Sequence, residues 1–199
     1  MPEMIKNPRA EGLRERKKRE MRANISAVAL RQAIEHGVAH VTTEMIAAEL
    51  GVSQRTIGNY FSSKEEAIVG TSVIRADRFC STLRERSSGE PLHEALLAAA
   101  LDVFASVPDR DGLERIRLIR STPALFAEER KSDVEIERMI AAEIGYRTGT
   151  DPTFDISPRI RASLILATMH TAVNFWLDSP AEGALGDVMR DAMAQFRLK

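Results

Sequence analysis

TTEMIAAELGVSQRTIGNYFSSK, residues 42–64, decides the fold. Met45, Ile46, Ala47 and Leu50 recur at helical spacing and form the inner face of a first short helix. Gly51 follows, where a left-handed residue lets the chain turn sharply. Val52 plugs the gap between helices, and the Ser53 hydroxyl is placed to cap the next helix by accepting a backbone N–H. Ile57 and Phe61, four residues apart, bury that second helix on one side. Gln54, Arg55, Gly58 and Asn59 share the exposed side, and their amide and guanidinium groups suit base edges and phosphates. Ser62 and Ser63, followed three residues later by Glu65 and Glu66, offer two overlapping capping boxes for a third helix starting near Lys64.

The charge distribution supports a nucleic-acid partner. Over 199 residues the chain is 44% hydrophobic and 29% charged, which allows a real core and excludes a disordered chain. Its net charge of −1 hides an asymmetry: residues 1–64 hold 11 Lys+Arg against 7 Asp+Glu, and the remainder 17 against 22. A small basic head on a larger acidic body follows, the body's charge keeping it off DNA. With one cysteine, Cys80, neither an intramolecular disulfide nor a thiolate metal site can form within a subunit. The N-terminus lacks the apolar run of a signal peptide, and no stretch approaches the ~18 apolar residues of a membrane span. A soluble, cytoplasmic protein is expected.

Residues 1–15 read as a flexible basic arm. Between Lys6 and Arg22 stand eight basic residues (Lys6, Arg9, Arg14, Arg16, Lys17, Lys18, Arg19 and Arg22), interrupted by Glu11, Glu15 and Glu20. They form either a solvated helix start or a phosphate or minor-groove contact, and the motif downstream favours contact, with Arg16, Lys17 and Lys18 in it. A helix from Arg16 to His36 carries Met21, Ile25, Val28, Ala29 and Ala33 on one side, and Gly37 ends it. After the motif, one continuous helix is expected from Lys64 to about Arg86, broken by SSGEP at 87–91. The pattern then predicts helices over 91–107, 113–121 and 123–146, with a turn at 108–112 and no period-two strand pattern. The fold class is therefore all-α, with a three-helix head over 16–64 and a helical body over 65–199.

The segment 157–179 bears on assembly. Ile160, Leu164, Ile165, Ala167, Met169, Ala172, Val173, Phe175 and Trp176 go more than halfway round that helix, so one face must meet something besides its own core. The last helix, Leu185–Phe196, is similarly apolar. Two such helices from each of two subunits would build a four-helix bundle through Leu164, Ala167, Thr171, Phe175, Val188, Met189, Ala192, Met193 and Phe196.

Residues 42–64 resemble the helix-turn-helix of TetR-type transcriptional regulators. Thr43, Ile46, Ala47, the Gly51-Val52-Ser53 turn, Thr56, the Tyr60-Phe61 pair and Lys64 carry the match, with a basic helix ahead and YFSSKEEAI at 60–68 overlapping and running on behind. The resemblance implies a homodimeric, ligand-responsive repressor of a palindromic operator, with a small-molecule effector and no cofactor. The recognition helix, roughly Gln54 to Phe61, would lie in the major groove. Arg55 then reads guanine or sits on phosphate, and Gln54 or Asn59 reads adenine. Beside Ser53, residues Thr43, Thr56, Tyr60 and Lys64 fit phosphate positioning, Lys64 aided by the positive end of its own helix, and Tyr60 fits the core equally. Two positions depart from the family. Gly58 stands where an aromatic is frequent, and serves close backbone approach instead; Ala33 replaces a large aromatic and leaves a space for Leu30 or Ile34 to fill.

The resemblance also implies a ligand cavity in the body. Phe104, Leu118, Phe126, Met139, Met169, His170, Asn174, Phe175 and Trp176 are candidates for it or for ordinary core. His170 and Asn174, four apart on an apolar helix, either bond internally or face a pocket or partner. LERIRLIRSTPALF, residues 113–126, is similar to a segment of actinobacterial members, some of which answer to lipophilic or acyl-thioester ligands; Arg117 and Arg120 would meet an anionic head group. An enzyme finds no support: there is no Gly-rich phosphate loop, GxSxG elbow or HExxH, and His36 and His40 flank Gly37. A helical protein-interaction adaptor would explain the apolar helices but not the DNA-reading face.

Overall fold

The computed structural model describes residues 13–104, 110–179 and 184–195, and among these all regular structure is helical. The order is α1 (Leu13–His36), a 3-10 turn (Val38–His40), α2 (Thr43–Leu50), α3 (Gln54–Gly58), α4 (Lys64–Val69), α5 (Thr71–Glu85) and α6 (Leu92–Phe104). Then come α7 (Arg110–Ser121), α8 (Pro123–Thr148), α9 (Ser157–Asp178) and α10 (Leu185–Ala194). Among the described residues no helix is long and apolar enough to cross a membrane.

The described residues fall into two units, one within 6–74 and 113–132, the other within 75–112 and 133–199; α5, α7 and α8 contribute to both. The first, the head, is larger than the three helices expected of it. Ile25, Ala29, Ala33, Val41, Ile46, Ile57, Phe61, Ala67 and Ile68 are buried together there with Ile119 of α7 and Leu125 of α8. Leu30 packs against this cluster and Met21 and Val28 flank it, while Met45 is exposed rather than inward. Gly51 turns the chain at φ 66°, the conformation a side chain would strain.

The expected continuous helix after Lys64 is interrupted. Gly70 keeps a right-handed conformation, but its N–H reaches Ala67 O at 3.3 Å, one residue short of the α register, separating α4 from α5. A Cβ at Gly70 would lie 2.3 Å from Ser26 Oγ and 3.0 Å from Phe61 Cε1, so the packing of α1 and Phe61 against this point requires glycine. The turn expected at 108–112 is also corrected, since α7 already begins at Arg110; residues 105–109 lie outside the described residues.

In the second unit, the body, α10 packs on α6 and α9. Polar side chains tie the helices. Arg78 grips Asp102 through Nε and Nη2 at 2.8 and 2.9 Å, and Thr82 donates to the same carboxylate, which these bonds hold at a pKa of about 2. Arg84 donates to Glu143, which is only 4% exposed. Burial, reinforced by Glu143 and Asp77, pushes the Cys80 thiol up to about 12, so it is an inert core residue.

Candidate nucleic-acid interface

The reading face is built by local hydrogen bonds. Thr42 Oγ1 accepts from Met45 N and fixes the start of α2. Ser53 Oγ accepts from Thr56 N and lies 2.8 Å from Thr56 Oγ1, so Ser53 and Thr56 serve to start α3. Ser63 Oγ accepts from Glu66 N to cap α4. The Glu66 carboxylate returns to Ser62, accepting from its N–H and hydroxyl at 2.7 Å; a single shifted box therefore replaces the two overlapping ones.

Longer-range contacts hold α3 in place. Arg22 lies over the Phe61 ring at 4.4 Å and donates to Tyr60 O at 2.7 Å, with Glu66 at 3.8 Å. Lys64, expected on phosphate, donates to Val38 O at 2.8 Å and Val41 O at 2.9 Å. Two of its three donors thus anchor the chain between α1 and α2, leaving one for an outside partner. Thr43, also expected on phosphate, accepts from Gln54 Nε2 at 2.8 Å. The same nitrogen donates to Glu44 at 2.6 Å.

Arg55 on α3 and Asn59 just after it are exposed, and the Arg55 guanidinium makes no hydrogen bond or ion pair among the described residues. A Cβ at Gly58 would meet nothing within 4 Å, so the position opens to close backbone approach. Beside α3 runs a cleft of about 800 Å³ lined by Leu13, Arg14, Lys17, Lys18, Thr56, Asn59 and Tyr60. Tyr60 packs against the head's core and also lines this cleft. Arg16 is not part of the lining and pairs with Glu20 at 3.6 Å. Arg14 was not among the expected contacts, although the basic run contained it; Arg22 was counted there only as a cation, since its partners lie 38 or more residues away.

The residues of the expected ligand set fall in both units. Arg117, Leu118, Arg120 and Phe126 belong to the head, where Leu118 packs on the core, both arginines are exposed, and Phe126 is exposed with Arg130 5.5 Å from its ring. In the body Phe104 and Met169 are buried, Met139 and Trp176 half-buried, and His170 lies 3.8 Å from Asp133. Asn174 and Phe175 stand exposed on α9. Among the interface candidates, Met189 and Met193 are buried in their own subunit and Phe196 lies outside the described residues. Ile160, Ala167, Thr171 and Phe175 are exposed on α9, with Leu164 half-buried beside them and Val188 and Ala192 half-buried on α10. Among the described residues no group of His, Cys, Asp or Glu could hold a metal ion.

Comparison with known proteins agrees with this geometry. Residues 25–68 match the family described as "Bacterial regulatory proteins, tetR family", and residues 90–198 match the MftR C-terminal domain. The HTH-type transcriptional regulator TcmR of Streptomyces glaucescens is 31% identical over 88% of this chain and 81% of its own length. A protein assigned as the mycofactocin biosynthesis regulator MftR of Mycobacterium tuberculosis is 28% identical over 77% and 78%. Among solved structures, NalD of Pseudomonas aeruginosa shares the fold with a TM-score of 0.54 at 16% identity, over 89% of this chain and 96% of that one. With a helix-turn-helix that leaves Arg55 and Asn59 open beside a basic cleft, and a body matching the MftR C-terminal domain, the chain belongs to the TetR family of DNA-binding transcriptional regulators, which are not enzymes.

Proposed function

We propose that this chain is a ligand-responsive repressor that binds a palindromic operator as a homodimer, in the cytoplasm. The observation that carries the DNA-reading half is the exposed, unpaired Arg55 beside the cleft of Arg14, Lys17 and Lys18. Its fork of N–H donors fits guanine O6 and N7, while the cleft's cations neutralise adjacent phosphates. Support for the pairing comes from α9, where Ile160 is 49% and Phe175 62% exposed on one stripe. Such apolar exposure is costly on a lone subunit, and a second copy covering it makes the interface isologous.

The two heads then sit at one spacing, which matches or mismatches successive major grooves. An effector held in the body that prefers the mismatched spacing weakens operator binding by that preference, on the order of 1–3 kcal/mol. Gel-shift against the DNA upstream of the chain's own operon tests the reading. Salt-sensitive, sequence-selective binding supports it; indifference to sequence there and across genomic fragments removes it. Size-exclusion chromatography checks the pairing, and a stable monomer would contradict the role given to α9.

A further inference from the structure

Gln54 enters the reading face with both amide N–H donors taken. Its Nε2 lies 2.8 Å from Thr43 Oγ1 and 2.6 Å from Glu44 Oε1, and a primary amide has only two such hydrogens. Chemistry fixes which way the amide points: an ionised carboxylate only accepts, so the atom facing Glu44 is the nitrogen. Glu44 is held in the charged form. Its own backbone N–H, then Thr42, Gln54 and Thr43, keep its carboxyl below the usual range against the cost of desolvation. Thr43 Oγ1 also lies 3.5 Å from Glu44 Oε2, closing a clamp between α2 and α3. What Gln54 can offer an incoming partner is therefore Oε1, an acceptor.

We propose that Gln54 reads DNA as an acceptor alone, with Thr43 and Glu44 as its positioning residues, and so selects a base that presents an amino group in the major groove, cytosine or adenine, over guanine or thymine. An unclamped glutamine would use both ends on adenine, Oε1 accepting from N6 and Nε2 donating to N7. The clamp removes the second bond, and with it the preference of adenine over cytosine. Guanine O6 and thymine O4 would face Oε1 with lone pairs on both sides and no hydrogen between them. The inference rests on the major-groove reading of α3 given above.

Selection of duplexes from a pool randomised across an operator half-site, read by sequencing, tests it on the full-length chain. Gln54→Ala should erase preference at one position. At that position the wild type takes cytosine and adenine alike, with guanine and thymine disfavoured about tenfold. Glu44→Ala frees one N–H and should narrow that position to adenine; Thr43→Val, which removes the other acceptor, should do the same, so the test survives if either variant fails to fold. A wild-type preference for guanine or thymine there, an unchanged position in folded Glu44→Ala or Thr43→Val, or no position altered by Gln54→Ala overturns the inference while the DNA-reading function stands. Enrichment of no palindrome at all overturns both.

Discussion

The head and the body share ties between distant residues, the head through Arg22 on Tyr60 O, Lys64 on Val38 O and Arg115 on Glu129, and differ in how their helices start. In the head, caps close over three residues, Thr42 to Met45, Ser53 to Thr56 and Ser63 to Glu66, and each fixes where a helix begins. In the body, the ties join residues distant in the chain: Arg78 to Asp102, Arg84 to Glu143, and Arg147 to the backbone carbonyls of Arg86 and Glu90. A cap aims a helix at an outside partner, whereas a buried ion pair locks two helices to each other. Aim is what a reading head needs, and a fixed helical frame is what a body needs to hold alternative packings apart.

The largest effect should come from breaking a body tie. Arg84→Ala leaves the Glu143 carboxylate buried without its cation and should cost about 3 kcal/mol in urea unfolding. Replacing both, Arg84→Met with Glu143→Leu, should recover most of that, because two apolar groups leave no charge stranded. A cost below about 1 kcal/mol for the single change would show that the pair does not organise the body.

Gly70→Ala addresses the one place in the head where packing overrides local pattern. Its Cβ meets Ser26 Oγ and Phe61, so a loss of about 1–3 kcal/mol is expected, partly restored by Ser26→Gly. A smaller loss, about 1 kcal/mol, is expected for Ser53→Ala, with weakened DNA binding because α3 has only five residues and little else to start it. Thermal unfolding read by circular dichroism measures both.

The smallest effect concerns pH. Asp102 titrates near 2 in the folded chain, below the ordinary ~3.9, so its stabilisation is present above about pH 4 and is lost as pH falls toward 2. Arg78→Ala should flatten that acid limb. At neutral pH its cost should stay near ~0.5 kcal/mol, because both partners are a third or more exposed to solvent.

The same contrast explains what was legible in the sequence. Gly51 at φ 66° and the caps at Ser53 and Ser63 are signalled by residues a turn apart, so they could be read without the fold. The need for glycine at position 70 could not, because Ser26, which excludes a side chain there, is 44 positions earlier. The anchoring of Lys64 was not legible either, since its carbonyl partners, Val38 and Val41, carry no side-chain signal. In the body, periodicity shows that α10 is apolar on a wide arc but not which part faces its own subunit; Met189 and Met193 turned inward, leaving Val188 and Ala192 half-buried. Leu118 illustrates the same limit, since its place in the chain suggested the body while its packing is in the head.

The central claim is that the exposed face of α3, flanked by its basic cleft, reads DNA sequence. Fluorescence anisotropy on a selected palindrome and on a scrambled duplex, each titrated with salt, tests it most directly. The logarithm of affinity should fall linearly with log salt on both, and Arg55→Ala should lower the ratio of palindrome to scrambled affinity about tenfold or more while leaving the unfolding midpoint unchanged. An unchanged ratio in Arg55→Ala, or equal wild-type affinity for the two duplexes, would contradict it.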